Sequence, residues 1–180
     1  SLRGLTKLDL SGNALTRLPD EICQLTELAW LNLSRNQLVE LPEEFGKLAK
    51  LKELGLAFNK LKRLPDLSGL VELDLLPVYN NELEEVGEWI CEMPALTKLD
   101  LSFNRLTELP EGIFRNKALT FINLRNNLLR SLPQYDSADP SARSPTLDTI
   151  DLRHNLIESI PISLMSPSIR EFRCSDNSLT

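Results

Sequence analysis

The single histidine, His154, is the first candidate for acid–base chemistry, and it stands alone. Imidazole catalysis needs a nucleophile or an orienting carboxylate beside it, and metal capture needs further ligands at fixed spacing. No second histidine and no cysteine at ligand spacing accompanies it. GxxxxGK[ST], GxGxxG, CxxC and HExxH are missing, so the chain carries neither a phosphate cradle nor a metal-binding signature. Asp9, Asp74, Asp100 and Asp151 look like candidate paired carboxylates, but they read as one recurring position of a repeated pattern. These residues predict no enzyme activity, no cofactor and no metal, and they direct attention to the pattern itself.

That pattern is nine residues long. Leu96-Thr97-Lys98-Leu99-Asp100-Leu101-Ser102-Phe103-Asn104 reads LxxLxLxxN. Copies run from Leu5 to Asn13, Leu28 to Asn36, Leu51 to Asn59, Leu119 to Asn127 and Leu147 to Asn155, with a worn copy from Ile169 to Asn177. A stretched copy starts at Leu70 and reaches its asparagine at Asn81. Units starting near 5, 28, 51, 70, 96, 119, 147 and 169 mark a solenoid, in which each coil buries its apolar face only against its neighbours. The pattern resembles the leucine-rich repeat family, of the Leu-Pro type, along residues 1–180 as a single domain.

The elements that position any surface chemistry follow from the spacing. The last two leucines of the motif are two apart, so they share one face of an extended segment. Such strands bury their leucines only by stacking in parallel. Pro19, Pro42, Pro65, Pro110, Pro133 and Pro161 each follow a Leu or Ile on the return path, where fixed φ forbids a long helix beginning earlier. Short helical or 3₁₀ turns are expected there. Strands sit about 4.8 Å apart and helical turns need about 10 Å, so the stack must curve. The expected fold is a curved α/β solenoid of eight units, parallel sheet inside and short turns outside. The resemblance assigns Asn13, Asn36, Asn59, Asn81, Asn104, Asn127, Asn155 and Asn177 to an asparagine ladder satisfying backbone groups at the turns.

A net charge of −6 argues against general nucleic-acid binding, and no apolar run is long enough to span a membrane. Cys23 and Cys91 fall three units apart, about 14 Å by strand spacing and too far for a disulfide. Free thiols favour a reducing, cytoplasmic setting. The sequon Asn32-Leu33-Ser34 lies within a strand and carries little weight. Both ends read as cut, so a fragment of a longer array or multidomain protein is expected.

Unit spacings of 23, 23, 19, 26, 23, 28 and 22 locate the irregularities. Four residues are missing near Asp66-Leu67-Ser68-Gly69, and three extra fall in Leu76-Pro77-Val78-Tyr79-Asn80, which offers Tyr79 as an apolar contact. Five extra residues lie within 134–146, a polar loop where Ser144-Pro145 is a candidate phosphorylation site.

With units aligned this way, third, fifth and seventh positions face outward from the sheet and the eighth lies at its rim. Trp30 and Phe121 place large apolar side chains in the third position, on a face expected to be wet. Exposed aromatics on a rigid surface are enriched in binding hot spots. Lys98 shares their column. Glu53, Glu72, Asp74 and Asp100 crowd the middle, with Asn123 beyond them, whereas Arg125, Arg153 and Arg173 line the far end. Opposed charge would orient a partner. Phe58 and Phe103, in the eighth position, are expected to pack beneath the turn, and Trp89 to lie on the outer side.

The expected function is non-catalytic recognition of a protein partner on the concave face by a monomeric, cytoplasmic module. The resemblance implies this from Ras-pathway scaffolds, Scribble-like polarity proteins, plant Ras-group relatives and bacterial arrays. Two alternatives remain: the substrate-targeting part of a larger signalling enzyme (Roco-type GTPase, phosphatase or ubiquitin ligase), and an extracellular receptor-type recognition domain.

Overall fold

The computed structural model describes residues 3–134, 144–164 and 167–180. Eight short strands lie side by side in chain order: β1 Lys7–Asp9, β2 Trp30–Asn32, β3 Glu53–Gly55, β4 Leu75–Pro77, β5 Lys98–Asp100, β6 Phe121–Asn123, β7 Thr149–Asp151 and β8 Glu171–Arg173. All neighbours pair in parallel in one open sheet. The central residue of each strand points inward, and from β2 to β7 that residue is fully buried: Leu31, Leu54, Leu76, Leu99, Ile122 and Ile150. Leucines of successive coils merge into one continuous apolar core. Each buried side chain contributes roughly 1.5–3 kcal/mol, most of it offset by chain ordering.

The return side is built of 3₁₀ turns, at Asp20–Gln24, Glu43–Lys47, Glu88–Glu92, Ile113–Arg115 and Ile162–Leu164. Pro19 and Pro42, at φ −69° and −54°, stand immediately before the first two of these and deliver the chain into the turn. Ile22, Phe45 and Ile90 bury the inner face of their turns. Trp89, whose outer-side position the sequence left without a reason, lies over Gly87: a β-carbon there would come within 2.5 Å of the indole Nε1. The missing side chain makes room for the ring.

The fourth unit corrects the sequence alignment. Glu53 pairs with Leu75, and Leu75, Leu76 and Pro77 with Lys98, Leu99 and Asp100. The motif therefore runs Leu73 to Asn81 without any stretching, and the unit starts at 73 rather than 70. Intervals of 19 and 26 become 22 and 23. One residue is lost from the return path, and no insertion exists at Leu76–Asn80. Leu76 in β4 and Val78 just after it are buried, not part of an exposed loop. Pro77 has no N–H to donate to β3, and there the register contracts to the single pair Glu53↔Leu75.

Seven of the eight assigned asparagines form the ladder, and Asn13, in the first coil, bonds only Leu10 and Ser11 of its own turn. Asn59 is representative: Nδ2 donates to the carbonyls of Leu56 (3.1 Å) and Leu33 (3.0 Å), while Oδ1 accepts from the N–H of Leu38 at 3.0 Å. One amide thus closes its own turn and ties it to the preceding coil. Asn36, Asn81, Asn104, Asn127, Asn155 and Asn177 repeat the same three bonds.

Candidate functional site

The strands present their first and third residues on the concave face, and the two aromatics stand there as the spacing requires. Trp30 and Phe121 are half-buried in a pattern that leaves only the residue between strand ends fully enclosed. Trp30 is held by both neighbours: the Lys7 ammonium lies 4.4 Å from its ring centroid, and its Nε1–H donates to Glu53 Oε2 at 2.9 Å. Lys98 is exposed between Leu75 and Phe121. The third column thus reads Lys7, Trp30, Glu53, Leu75, Lys98, Phe121, Thr149 and Glu171.

Glu72 and Asp74 do not belong to that surface in the way their sequence alignment implied. The register of β4 puts Glu72 ahead of the motif, where it meets Lys52 at 3.7 Å, and Asp74 one residue before the strand, where its carboxylate accepts from the Thr97 hydroxyl. The acidic middle of the concave strands reduces to Glu53 and Asp100.

The fifth position has a structural task that the sequence reading missed. Asp9, Asn32, Asp100, Asn123 and Asp151 each accept the backbone N–H two residues on, from Ser11, Ser34, Ser102, Arg125 and Arg153, at 3.0 to 3.1 Å. These Asx turns shape the chain as it leaves the strand. Asp100 and Asn123 are also joined to each other, Asn123 Nδ2 donating to Asp100 Oδ2 at 3.1 Å. The signal was legible as Asp or Asn two residues before Ser or Arg in five units. Where Gly55 takes the position instead, a β-carbon would lie 2.6 Å from Asn32 Oδ1, so the neighbouring Asx turn excludes a side chain.

The basic far end is also altered. Arg153 clamps Asp151, with Nε at 2.9 and 3.1 Å from its two oxygens and Nη2 at 2.5 Å. Burial alone would raise the Asp151 carboxyl, but the hydrogen bonds and charge of Arg153 outweigh it and hold the group below the usual range. Arg173 is bound to Glu171 and approaches Asp151 at 3.9 Å. Arg125 alone of the three lacks a carboxylate partner among the described residues; its Nη2 lies 3.2 Å from His154 Nε2. Tyr79 stands at the seventh position, edge-on to Phe58 with centroids 5.4 Å apart. Phe58 and Phe103, expected beneath the turn, are instead 39% and 46% exposed.

Among the described residues the chemically suggestive side chains are not brought together. His154 is a hydrogen-bonded rim side chain whose Nδ1 faces Asp176 at 3.5 Å and whose other nitrogen accepts from Arg125. Among the described residues no three His, Cys, Asp or Glu side chains converge as metal ligands, and no helix is long and apolar enough to cross a membrane. Ser144 is 3% exposed, its Oγ accepting from the Leu147 N–H at 3.2 Å, so the candidate phosphorylation site is closed in this fold. Residues 135–143 of that loop lie outside the described residues.

The three thiols are unpaired. Desolvation, reinforced by the Glu88 carboxylate 3.5 Å away, pushes the Cys91 thiol from its ordinary 9.0 up to about 12. The group stays protonated through neutral and mildly alkaline pH. At pH 8 its thiolate fraction falls about a thousandfold, and the greater nucleophilicity of a high-pKa thiolate returns about thirtyfold. Iodoacetamide should therefore alkylate Cys91 about thirtyfold more slowly in the native chain than in urea, as peptide mass spectrometry would record. Equal rates would contradict the raised pKa of this half-buried thiol.

Leucine rich repeat, as a family description, matches residues 3–61 and 94–142. A leucine-rich repeat protein of Leptospira interrogans is 35% identical over 99% of this chain and 45% of its own, with a TM-score of 0.87. YopM of Yersinia enterocolitica is 30% identical over 97% of this chain and 39% of its own, with a TM-score of 0.69. The Toll–Spatzle complex of Drosophila gives a TM-score of 0.78 at 24% identity, over 99% of this chain and 28% of its match, a likeness of fold alone. No curated protein sequence matches. The chain spans less than half the length of these solved structures. Strands, asparagine ladder and family match together make this chain a member of the leucine-rich repeat family.

Proposed function

We propose that the chain is a non-catalytic recognition module that takes a protein partner on the concave face of its sheet. Leucine-rich repeat domains bind protein partners, and the observation that favours the concave face here is the pair of half-buried aromatics, Trp30 and Phe121, four strands apart on it. Neither ring contributes to the core cluster, so neither is needed to hold the coils together. Glu53 and Lys98 beside them supply polar rim groups of opposite sign. The module acts as a monomer, and its unpaired cysteines suit a reducing compartment such as the cytoplasm. In a longer protein it would supply the recognition, leaving other segments to act on what it holds.

Trp30→Ala and Phe121→Ala are expected each to weaken binding of peptides selected on the parent chain by about tenfold or more, while unfolding free energies stay within about 1 kcal/mol. Panning a displayed peptide library and measuring both variants by fluorescence anisotropy and urea denaturation tests this. Unchanged affinity in both, or loss of fold in either, would overturn the concave-face assignment.

A further inference from the structure

The rim beside the sheet carries an arrangement separate from the aromatics of the strands. In all eight units the eighth residue of the motif is in the left-handed region, from Gly12 at φ 68° to Phe58 at 57°, Phe103 at 54° and His154 at 56°. Glycine, asparagine or aspartate adopt this conformation readily, and Gly12, Asn80, Asn126 and Asp176 do so here. Phenylalanine does not, and a ring left 39% or 46% exposed recovers little burial in exchange. Strain at two phenylalanines of one rim, offset only in part by their ring contacts, points to a use outside the fold.

Each ring carries a guanidinium. Arg35 lies 4.7 Å from the Phe58 centroid and Arg125 5.9 Å from that of Phe103, with Tyr79 between the two pairs. Neither Arg35 nor Arg125 makes an ion pair among the described residues, whereas Arg17, Arg63, Arg105, Arg153, Arg170 and Arg173 all do. From Ser34 to His154 the seventh and eighth positions contain not one Asp or Glu, in a chain with 26 acidic and 20 basic residues. The strip is therefore cationic and aromatic on an otherwise acidic molecule.

We propose that this rim docks an extended acidic peptide segment of the protein partner, two carboxylates pairing with Arg35 and Arg125 and the apolar side chains between them resting on Phe58, Tyr79 and Phe103. Arginine is suited to this because its planar fork grips a carboxylate with two parallel hydrogen bonds while its face stays on a ring. The two guanidiniums stand four strands apart, about 19 Å, which an extended chain covers in about six residues. The inference rests on the recognition role proposed above but uses different side chains, so the two can fail separately.

The probe is a fluorescein-labelled peptide with two glutamates about six residues apart and leucine and tyrosine between them. The expected result is saturable, salt-sensitive binding, lost by tenfold or more on Arg35→Glu, on Arg125→Glu, and when both glutamates become glutamine. Phe103→Gly removes a ring while relieving its backbone, so it should weaken binding with no loss of thermal stability. The paired reversal Arg35→Glu with Arg125→Glu should bind the corresponding lysine peptide. No binding by the parent chain, or equal affinity for the glutamine peptide, overturns the proposal. Loss of binding in Trp30→Ala and Phe121→Ala with none in the arginine variants overturns the rim and leaves the sheet; the converse leaves the rim and removes the sheet.

Discussion

Asn104→Ala is expected to lower the unfolding free energy by about 3 kcal/mol in urea denaturation, a large share of the stability of a chain this size. The side chain is 8% exposed and serves three backbone groups of two coils. Nδ2 donates at 3.0 Å to both Leu101 and Val78 carbonyls, and Oδ1 accepts the Leu83 N–H at 3.0 Å. Alanine leaves all three without this partner, and each buried polar group left unpaired costs about 1–3 kcal/mol. Asn104→Asp is no rescue, because a carboxylate has no proton to give the two carbonyls and would lie buried against them. Asn13→Ala is the contrast: its Nδ2 reaches only Leu10 and Ser11 of its own turn, at 2.9 and 3.2 Å, in an exposed setting. That variant should lose less than about 1 kcal/mol. If the Asn104 and Asn13 variants lost the same, coil-to-coil bonding by the ladder would not be what stabilises the array.

Both the ladder and the core were legible in the sequence because each is written at a fixed interval. Leucines two apart and an asparagine three after the second leave no other stacking register for most units. The fourth unit escaped for two physical reasons. Leu70-Val71-Glu72-Leu73-Asp74-Leu75 imitates the start of the motif, since Leu70 is a buried residue of the return path that falls three before Leu73. Pro77 then argues against a strand, and in an isolated sheet it would be right; here pairing on the β5 side and the buried Leu76 and Val78 hold it in place. Counting back from Asn81 finds the register directly. Surface roles were less legible because a polar residue at an outward position looks the same whether it binds water, a partner or its own backbone. Asp100 and Asn123 turned out to close Asx turns, and Arg153 and Arg173 to neutralise Asp151 and Glu171. Phe58 and Phe103 suggest packing because apolar side chains are usually covered; the positive φ that turns them outward is a property of the coil, not of phenylalanine.

Gly69→Ala is expected to destabilise the chain by about 2–3 kcal/mol, although alanine is ordinarily the gentlest of substitutions. The shortened return of the third unit is drawn in against the Glu43–Lys47 turn, and a β-carbon on Gly69 would come 2.3 Å from the carbonyl oxygen of Gly46 and 3.0 Å from its carbon. Backbone has no rotamer to escape through, so one return path must move. Leu67 and Leu70, on either side of Gly69, are completely buried, and shifting them opens the core on both sides of the contact. The same displacement would be felt at β4, where a single register pair joins the third and fourth units, making this the weakest stretch of the sheet ladder. Hydrogen exchange should therefore rise at Asp74 and Leu75, whose N–H groups bond to the Lys52 carbonyl at 2.9 and 3.3 Å, before it rises in β6 or β7. Gly4→Ala, with nothing within 4 Å of its added carbon, supplies the control and should leave stability unchanged. A Gly69 variant as stable as the parent would show that the return path can slide freely over its neighbour, and the stiffness of the array would have to come from the ladder alone.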